Sequence, residues 1–488
     1  MKNGRKHLYT CFVDLQKAFD TVPRSKLFYK LLRDYSIGGK FLQILQEMYK
    51  DNQIYVKLPE GLAKPFTTTI SVKQGCVFSP LLFNLYIDKI CKIFDSSCDP
   101  VSINNTNLNC LLWADDLLLV SESATGLQKC LDKMQIFYSE LGLKVNLKKT
   151  KVMIFNNKGA KLDNYKFYLN GDRVSITDQY QYLGIKLRPS GSLQMAVDEL
   201  HDKALRAWFS ISNIVFKNKR MEPYKVFGLF DSLVTPVALY GCEFWLPHII
   251  KKSGLSSPDR LLDSWESFKP ETINQKCSRM ILGVHRKASR LAVLGELGRY
   301  PLFITAMSQL LKYRISLDER PFSLVGQALT EMSSMTSKGQ DCWLNRVDTI
   351  MNLLKINHSD HTLSKVASRK FSSSLKSKFD IFWKKKVNEI KHVNNDHLNH
   401  NKLEFIAPLK VVSSRNHILN LSVTEIKGQH SPDLGLVLIH WPLKLVVELG
   451  QKFHTTSGFA PSAILKISRC QTKPARPTLG LLIVKLTF

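Results

Sequence analysis

The chain has 488 residues, 44% of them hydrophobic, with 69 Lys and Arg against 41 Asp and Glu and a formal net charge of +28. That length and apolar content provide for two or three domains with sizeable cores, and the charge suits a polyanionic partner, nucleic acid first and a charged membrane surface second. No run reaches the ~18 consecutive apolar residues of a spanning helix, residues 1–7 lead straight into an apolar strand without a cleavable signal, and the ten cysteines are scattered without Cys-x-x-Cys spacing. A soluble intracellular chain with reduced thiols is therefore expected, with no zinc site or disulfide framework.

Residues 8–13 are a short apolar run of strand type. Residues 26–48 place Leu27, Leu31, Leu32, Phe41, Leu42, Leu45 and Met48 around Gly38-Gly39, which predicts two helices. Strands are expected at 54–56 and 67–72, a helix over 80–94, and a hairpin over 108–120 whose apolar arms flank Ala114-Asp115-Asp116. An amphipathic helix at 127–141, a strand at 152–155 and short strands through 165–187, with Gly171-Asp172 as a turn, complete a sheet covered by helices. Beyond Leu193 the pattern changes to long helices, notably 196–215 and 223–240. After Ser323 the chain grows Ser- and Lys-rich, with Lys384-Lys385-Lys386 among its basic runs; beyond 417 no element order emerges, and no internal repeat is found.

Asp14 ends the first apolar run, so its side chain is expected at a strand tip, and Asp115 and Asp116 stand side by side between apolar arms. Adjacent anions raise each other's pKa unless a cation offsets them, as hard divalent ions with oxygen ligands do. An Asp-Asp pair at a hairpin tip is by itself usually a solvated turn. The two sets together match phosphoryl transfer by two metal ions held ~3.5–4 Å apart. One ion lowers the pKa of an attacking 3′-hydroxyl and the other steadies the triphosphate, so the acids act as ligands. Between them, Gln74-Gly75-Cys76 leads to Ser79-Pro80, a Gly-containing turn that lets backbone approach a flat ligand closely.

The order Phe12-Val13-Asp14-Leu15-Gln16-Lys17-Ala18-Phe19-Asp20, then Gln74-Gly75-Cys76 with Ser79-Pro80 and Phe83-Asn84, then Trp113-Ala114-Asp115-Asp116 resembles a reverse transcriptase of the non-LTR retrotransposon (LINE-like) family. Residues 142–151 and Tyr180-Gln181-Tyr182-Leu183-Gly184-Ile185 extend the resemblance to five blocks in the family's order, covering 8–190 and, more loosely, the helices to about 320. It implies an α/β (α+β) polymerase palm with an antiparallel sheet and packed helices over 1–190, and a helical thumb-like region over 191–322. A basic helical or partly disordered region follows over 323–416, with an unassigned tail over 417–488.

The activity implied is RNA-directed DNA synthesis on an RNA template, extending a DNA primer with deoxynucleoside triphosphates and two Mg2+ ions, or Mn2+ in their place. The metal ligands implied are Asp14, Asp115, Asp116 and the backbone carbonyl of Leu15. Phe19 matches the residue that excludes a 2′-hydroxyl, core packing being its alternative, and Gln74 and Gly75 match the segment touching template and incoming nucleotide. Val77-Phe78 departs from the family's Pro-Leu. Lys149 matches a basic residue that protonates pyrophosphate, with Lys148 and Lys151 as competitors and a solvated cluster as the alternative. Tyr182, Leu183 and Gly184 match the primer grip, and Lys203, Arg206, Lys217, Lys219 and Arg220 are either duplex-holding or ordinary surface charges.

In the family a fingers region precedes the first block, whereas Met1 stands thirteen residues before Asp14. The expectation is a truncated copy without fingers, part of its palm core exposed and its activity weak or absent. Cys470 stands alone after Cys342, and His392, His397 and His400 lack cysteine partners, so neither an endonuclease nor a zinc knuckle is expected. The rival readings are a non-catalytic nucleic-acid-binding remnant, an RNA-directed RNA polymerase, which Phe19 opposes, and the unfolded product of a relic reading frame. A nuclear site of action follows only from the resemblance, and the oligomeric state is open.

Overall fold

The computed structural model describes residues 7–156, 159–217, 221–356 and 365–395. Lys219, Arg220, His397, His400 and the 417–488 tail lie outside them, as do the side chains of Lys217 and His392. The chain starts with β1 (His7–Val13), α1 (Arg24–Tyr35) and α2 (Gly39–Tyr49). The two-residue strands β2 (Gln53–Ile54), β3 (Lys57–Leu58), β4 (Gly61–Leu62) and β5 (Phe66–Thr67) precede α3 (Ser79–Ile87). Next come β6 (Val101–Ile103), β7 (Thr106–Leu108), β8 (Cys110–Trp113), β9 (Asp116–Ser121), α4 (Ala124–Leu141), β10 (Lys151–Asn156), β11 (Phe167–Leu169), β12 (Asp172–Ile176), β13 (Tyr180–Tyr182) and β14 (Ile185–Leu187).

From there the described chain is helical. Its helices are α5 (Gln194–Lys217), α6 (Pro223–Leu233), α7 (Thr235–Ala238), α8 (Cys242–Ile249), α9 (Pro258–Asp263), α10 (Glu271–Leu282), α11 (Arg290–Glu296), α12 (Leu302–Asp318), α13 (Leu324–Ser337), α14 (Trp343–Leu353) and α15 (Lys365–Asn395). Three expectations change in detail. Of the strands expected at 54–56 and 67–72, only Ile54 and Thr67 lie in paired strands; Ile70 makes an isolated bridge to Pro23, and the rest of 68–72 follows an irregular path beside α1. The helix expected over 80–94 ends at Ile87 and continues as a tighter turn over Asp88–Lys92. Pro236 divides the helix expected over 223–240, because proline removes a backbone donor and suits only a helix's first turn.

Six strands form one sheet in the order β11-β12-β10-β1-β9-β8. All neighbours run antiparallel except β10 and β12, since the β11–β12 hairpin returns the chain in the direction of β10. β1 lies inside the sheet and is buried on both faces, which is why its sequence is mostly apolar instead of alternating, its one buried hydroxyl, Thr10, donating to the Met153 carbonyl at 2.7 Å. One face of the sheet, with Cys11, Val13, Leu117, Leu119, Val152 and Ile154, packs on α1, α3 and α4. The other, with Phe12, Leu118, Val120 and Met153, is covered by Tyr180, Tyr182 and Leu187 of the β13–β14 hairpin.

A second core runs from Val197 to Val387, so the expected division near 322 falls inside continuous packing. Polar contacts tie the helices to the β13–β14 and β6–β7 hairpins beside the sheet. Lys186 Nζ meets Glu199 at 3.1 Å, the Tyr240 hydroxyl donates to the Leu183 carbonyl at 3.0 Å, and the Asn104 N–H donates to the Glu331 carboxylate at 3.2 Å. α1 and α2 also present an apolar outer face, with Tyr29, Leu32, Phe41 and Ile44 exposed. Among the described residues no helix is long and apolar enough to cross a membrane.

Candidate active site

β1 ends at Val13, whose register partner on β9 is Leu117, so continuing the ladder by one residue sets Asp14 opposite Asp116. Strand alternation then puts both acids on the face of Phe12 and Leu118, beneath the β13–β14 hairpin. The electrostatics agree. Burial first, then the nearby charges of Asp14 and Asp116, push the Tyr180 hydroxyl up to about 12, and burial with Asp116 does the same to Tyr182. Asp115 sits in the β8–β9 turn, where Trp113 pairs with Asp116 and Ala114 takes φ 51°. A left-handed alanine costs about 1 kcal/mol or more, so the acid-bearing turn holds strain of the kind that concentrates at functional sites.

The backbone of Asp14 is fixed from the far side. Its N–H donates to Thr150 Oγ1 at 3.2 Å, and its carbonyl accepts the Asn146 N–H at 2.7 Å. Gln16 N–H reaches the Lys144 carbonyl at 2.8 Å, and Leu15 bridges Val145. Both backbone groups of Asp14 are therefore spent on the 144–150 segment. By the alternation of extended chain, the Leu15 carbonyl turns the opposite way, toward the strand that carries Asp115 and Asp116. Thr150 is fully buried. Its role was not legible in the sequence, where the only signal was its place after Lys149.

Asp14 Oδ2 is buried and accepts no hydrogen bond. Lys149 Nζ lies 3.7 Å from it, outside hydrogen-bond reach, on a side chain 69% exposed. Such a solvated pair contributes little by itself. It does separate three neighbouring lysines, because Lys151 is engaged by Ser175 Oγ at 2.6 Å and Lys149 is the one beside Asp14.

An orphaned buried carboxylate oxygen, a second acid opposite it and a third at the adjoining turn make an all-oxygen donor set that suits a hard divalent ion. As they stand, no three metal-ligating side chains among the described residues converge on one point.

Phe19 is half-buried, its ring stacked on the buried Phe83 with centroids 4.9 Å apart. Core packing thus accounts for part of its position, and the side chain stays partly exposed. Gln74 and Gly75 are exposed; the Gln74 amide donates to Asp20 Oδ1 at 2.9 Å, and Gly75 takes φ 83° with open space around it. Tyr182, Leu183 and Gly184 form the tip of the β13–β14 hairpin, with φ 46° at Leu183 and 82° at Gly184. Tyr180 stacks on Phe12 at 4.2 Å, so the hairpin is seated two residues from Asp14.

The basic residues are less free than the sequence suggests. Lys203 is tied to Glu199 at 2.8 Å, Lys385 pairs with Asp259, and Lys386 meets Asp263 at 3.4 Å, while Arg206 is exposed.

Residues 1–187 match the family model described as reverse transcriptase (RNA-dependent DNA polymerase). The chain is 29% identical over 204 residues to the Pol polyprotein of the type-2 retrotransposable element R2DM of Drosophila melanogaster, covering 40% of this chain and 19% of that one. It is 26% identical over 250 residues to the Pol polyprotein of the type-1 retrotransposable element R2 of Popillia japonica, covering 50% and 34%. The RNA-directed DNA polymerase from the mobile element jockey of Drosophila melanogaster is 22% identical over 254 residues, covering 50% and 26%. The matched stretch thus spans between a fifth and a third of these relatives' length. Among solved structures, a telomerase of Candida tropicalis bound to a telomeric RNA fragment aligns with 72% of this chain and 50% of its own at 11% identity and a TM-score of 0.32.

Proposed function

Residues 1–187 are a reverse transcriptase domain of the non-LTR retrotransposon kind, and from that premise we propose that the chain extends a DNA primer on an RNA template with deoxynucleoside triphosphates. The carrying observation is that the β1–β9 register, continued one residue beyond Val13 and Leu117, sets Asp14 opposite Asp116, with a buried Asp14 Oδ2 that accepts no hydrogen bond. Reverse transcriptases use divalent metal ions. We assign Asp14, Asp115, Asp116 and the Leu15 carbonyl as the ligands of two Mg2+ ions, which Mn2+ can replace. When bound, the ions supply charge that offsets the triphosphate and acidifies the primer 3′-hydroxyl.

The chain's own groups do the rest. Thr150 and Asn146 hold the Asp14 backbone still, so its carboxylate needs no reorganisation on binding. Lys149, beside Asp14, is placed to give a proton to the departing pyrophosphate. Gln74 and the open backbone at Gly75 offer a surface for template and nucleotide, and the partly exposed Phe19 crowds a 2′-hydroxyl in this reading. The β13–β14 hairpin, whose Tyr180 and Tyr182 pack on the face of Phe12, serves in this reading as a grip for the primer end. The exposed Arg206 on α5 is a duplex contact in this reading, alongside Lys203, Lys217, Lys219 and Arg220.

The test is Mg2+-dependent extension of a DNA primer on an RNA template by the full chain, with Asp115→Ala/Asp116→Ala as control. Extension by the parent should fall at least about a thousandfold in the double variant. Salt-sensitive duplex binding without extension would instead make the chain a nucleic-acid-binding remnant. Preference for ribonucleotides over deoxynucleotides would replace the assignment with RNA synthesis.

A further inference from the structure

Arg24 opens α1 and is 8% exposed. Burying a guanidinium is costly unless its donors are used, and here they reach two separate pieces of chain, the end of α2 at Tyr49 and the 68–71 stretch. Nε donates to the Ser71 carbonyl at 3.0 Å. One terminal nitrogen donates to the carbonyls of Tyr49, at 3.1 Å, and Thr68; the other donates to Thr68 Oγ1 at 3.0 Å and Ser71 Oγ at 3.5 Å. The guanidinium also lies 5.2 Å from the centroid of the Tyr49 ring. These hydrogen-bond partners are carbonyls and hydroxyls, so the arginine fixes a backbone path instead of forming an ion pair.

That path leads into Gln74-Gly75. Ser71 adopts φ 88°, a conformation that costs energy for any residue but glycine. It persists because the Ser71 N–H donates to the Val22 carbonyl and the Val72 N–H to the Phe19 carbonyl, both at 2.9 Å, while Arg24 holds the Ser71 carbonyl.

Tyr49 carries the clamp to the far side of the loop. Its buried hydroxyl lies 3.3 Å from Ser79 Oγ at the start of α3 and 3.5 Å from the Lys73 nitrogen. The Lys73 ammonium sits 5.5 Å from the ring centroid and donates to the Met48 carbonyl at 2.6 Å. Residues 74–78 are therefore an exposed loop with both ends tied to buried anchors.

We infer that Arg24 is a positioning residue which, with Tyr49, sets the Gln74-Gly75 backbone against the segment that carries Asp14. What the loop touches rests on the polymerase reading above; the clamp itself does not. Lysine cannot replace it, because a single ammonium cannot span the carbonyls of Tyr49, Thr68 and Ser71 as the planar fork does.

The experiment compares the full-length parent with Arg24→Lys, and with Thr68→Val, which removes one hydroxyl partner, in case the lysine variant does not fold. Amide hydrogen exchange is read first, because it needs no activity. Residues 68–79 should exchange about tenfold faster in Arg24→Lys, and less so in Thr68→Val, with β1, β9 and β10 unchanged. Primer extension should then show KM for deoxynucleotide raised on the order of tenfold, with the duplex dissociation constant held within about twofold. Unchanged exchange at 68–79 overturns the inference. So does exchange that quickens across the whole palm with KM constant, since that is loss of stability alone. If the parent extends no primer, the polymerase reading fails for this chain while the exchange pattern still decides the clamp.

Discussion

Asp14 carries a feature that does nothing for stability: a buried oxygen with no hydrogen bond, across from a second carboxylate where the β1–β9 register continues. Burying an unsatisfied anion costs free energy, so neutralising it should help the fold while destroying the site. Asp14→Asn should abolish primer extension and leave the thermal midpoint equal or higher, by about 1 kcal/mol in stability at most. Added Mg2+ should raise the midpoint of the parent and not of the variant. Calorimetry with and without Mg2+ checks both, and a large loss of stability in Asp14→Asn would reassign Asp14 to the scaffold. The acids themselves were readable from the sequence, because a polar pair inside apolar strand runs is an anomaly at the residue level. Thr150 and Arg24 were not, since one threonine and one arginine look ordinary until distant carbonyls and amides are brought against them.

Among the elements, the β13–β14 hairpin is the joint between sheet and helices. Its turn needs positive φ at both central positions, which favours Gly and Asn and tolerates leucine poorly. Gly184 is required twice over, for φ 82° and because a Cβ there would stand 2.9 Å from the Tyr240 ring. Gly184→Ala should destabilise the chain by roughly 1–3 kcal/mol and loosen the grip near the acids, seen as lost amide protection over 180–187. Leu183→Asn relieves the left-handed strain and should stabilise the chain by up to about 1 kcal/mol. If the leucine contacts the primer end, the same variant should raise the dissociation constant for primer–template, a combination that a purely structural residue would not show.

At the level of the whole molecule, the helical region holds a buried carboxylate that links stability to pH. Glu271 accepts hydrogen bonds from the Leu302 N–H and Asn274 Nδ2, both at 2.7 Å, and from Gln275 at 3.4 Å, satisfying the first turn of α12. Burial raises its pKa to about 7 despite those donors and the Arg299 charge. The folded state then binds the proton more tightly than the unfolded state. The contribution is full below the ordinary value of 4.5 and is lost as pH rises through about 7. Chemical denaturation across pH 4.5–7 should show this as a downward component no steeper than about 1.4 kcal/mol per pH unit, and Glu271→Gln should remove it. A slope unchanged in that variant would place the titration elsewhere.

The sequence by itself determined the chemistry and the gross order of elements. Asp14, Asp115 and Asp116, the Gln74-Gly75 turn and the 180–187 hairpin are local patterns, written in residues close along the chain where hydrophobic period and turn chemistry act directly. Only the tertiary structure decided what depends on contacts between distant residues. It ended β1 so that Asp14 falls across from the start of β9, brought Lys149 beside Asp14, stacked Phe19 on Phe83, engaged Lys385 and Lys386 with acids of α9, and ran one helical core past residue 322. The physical reason is that propensity and periodicity act over a few residues, whereas side-chain partners, burial and their electrostatics are set by which surfaces the fold brings together.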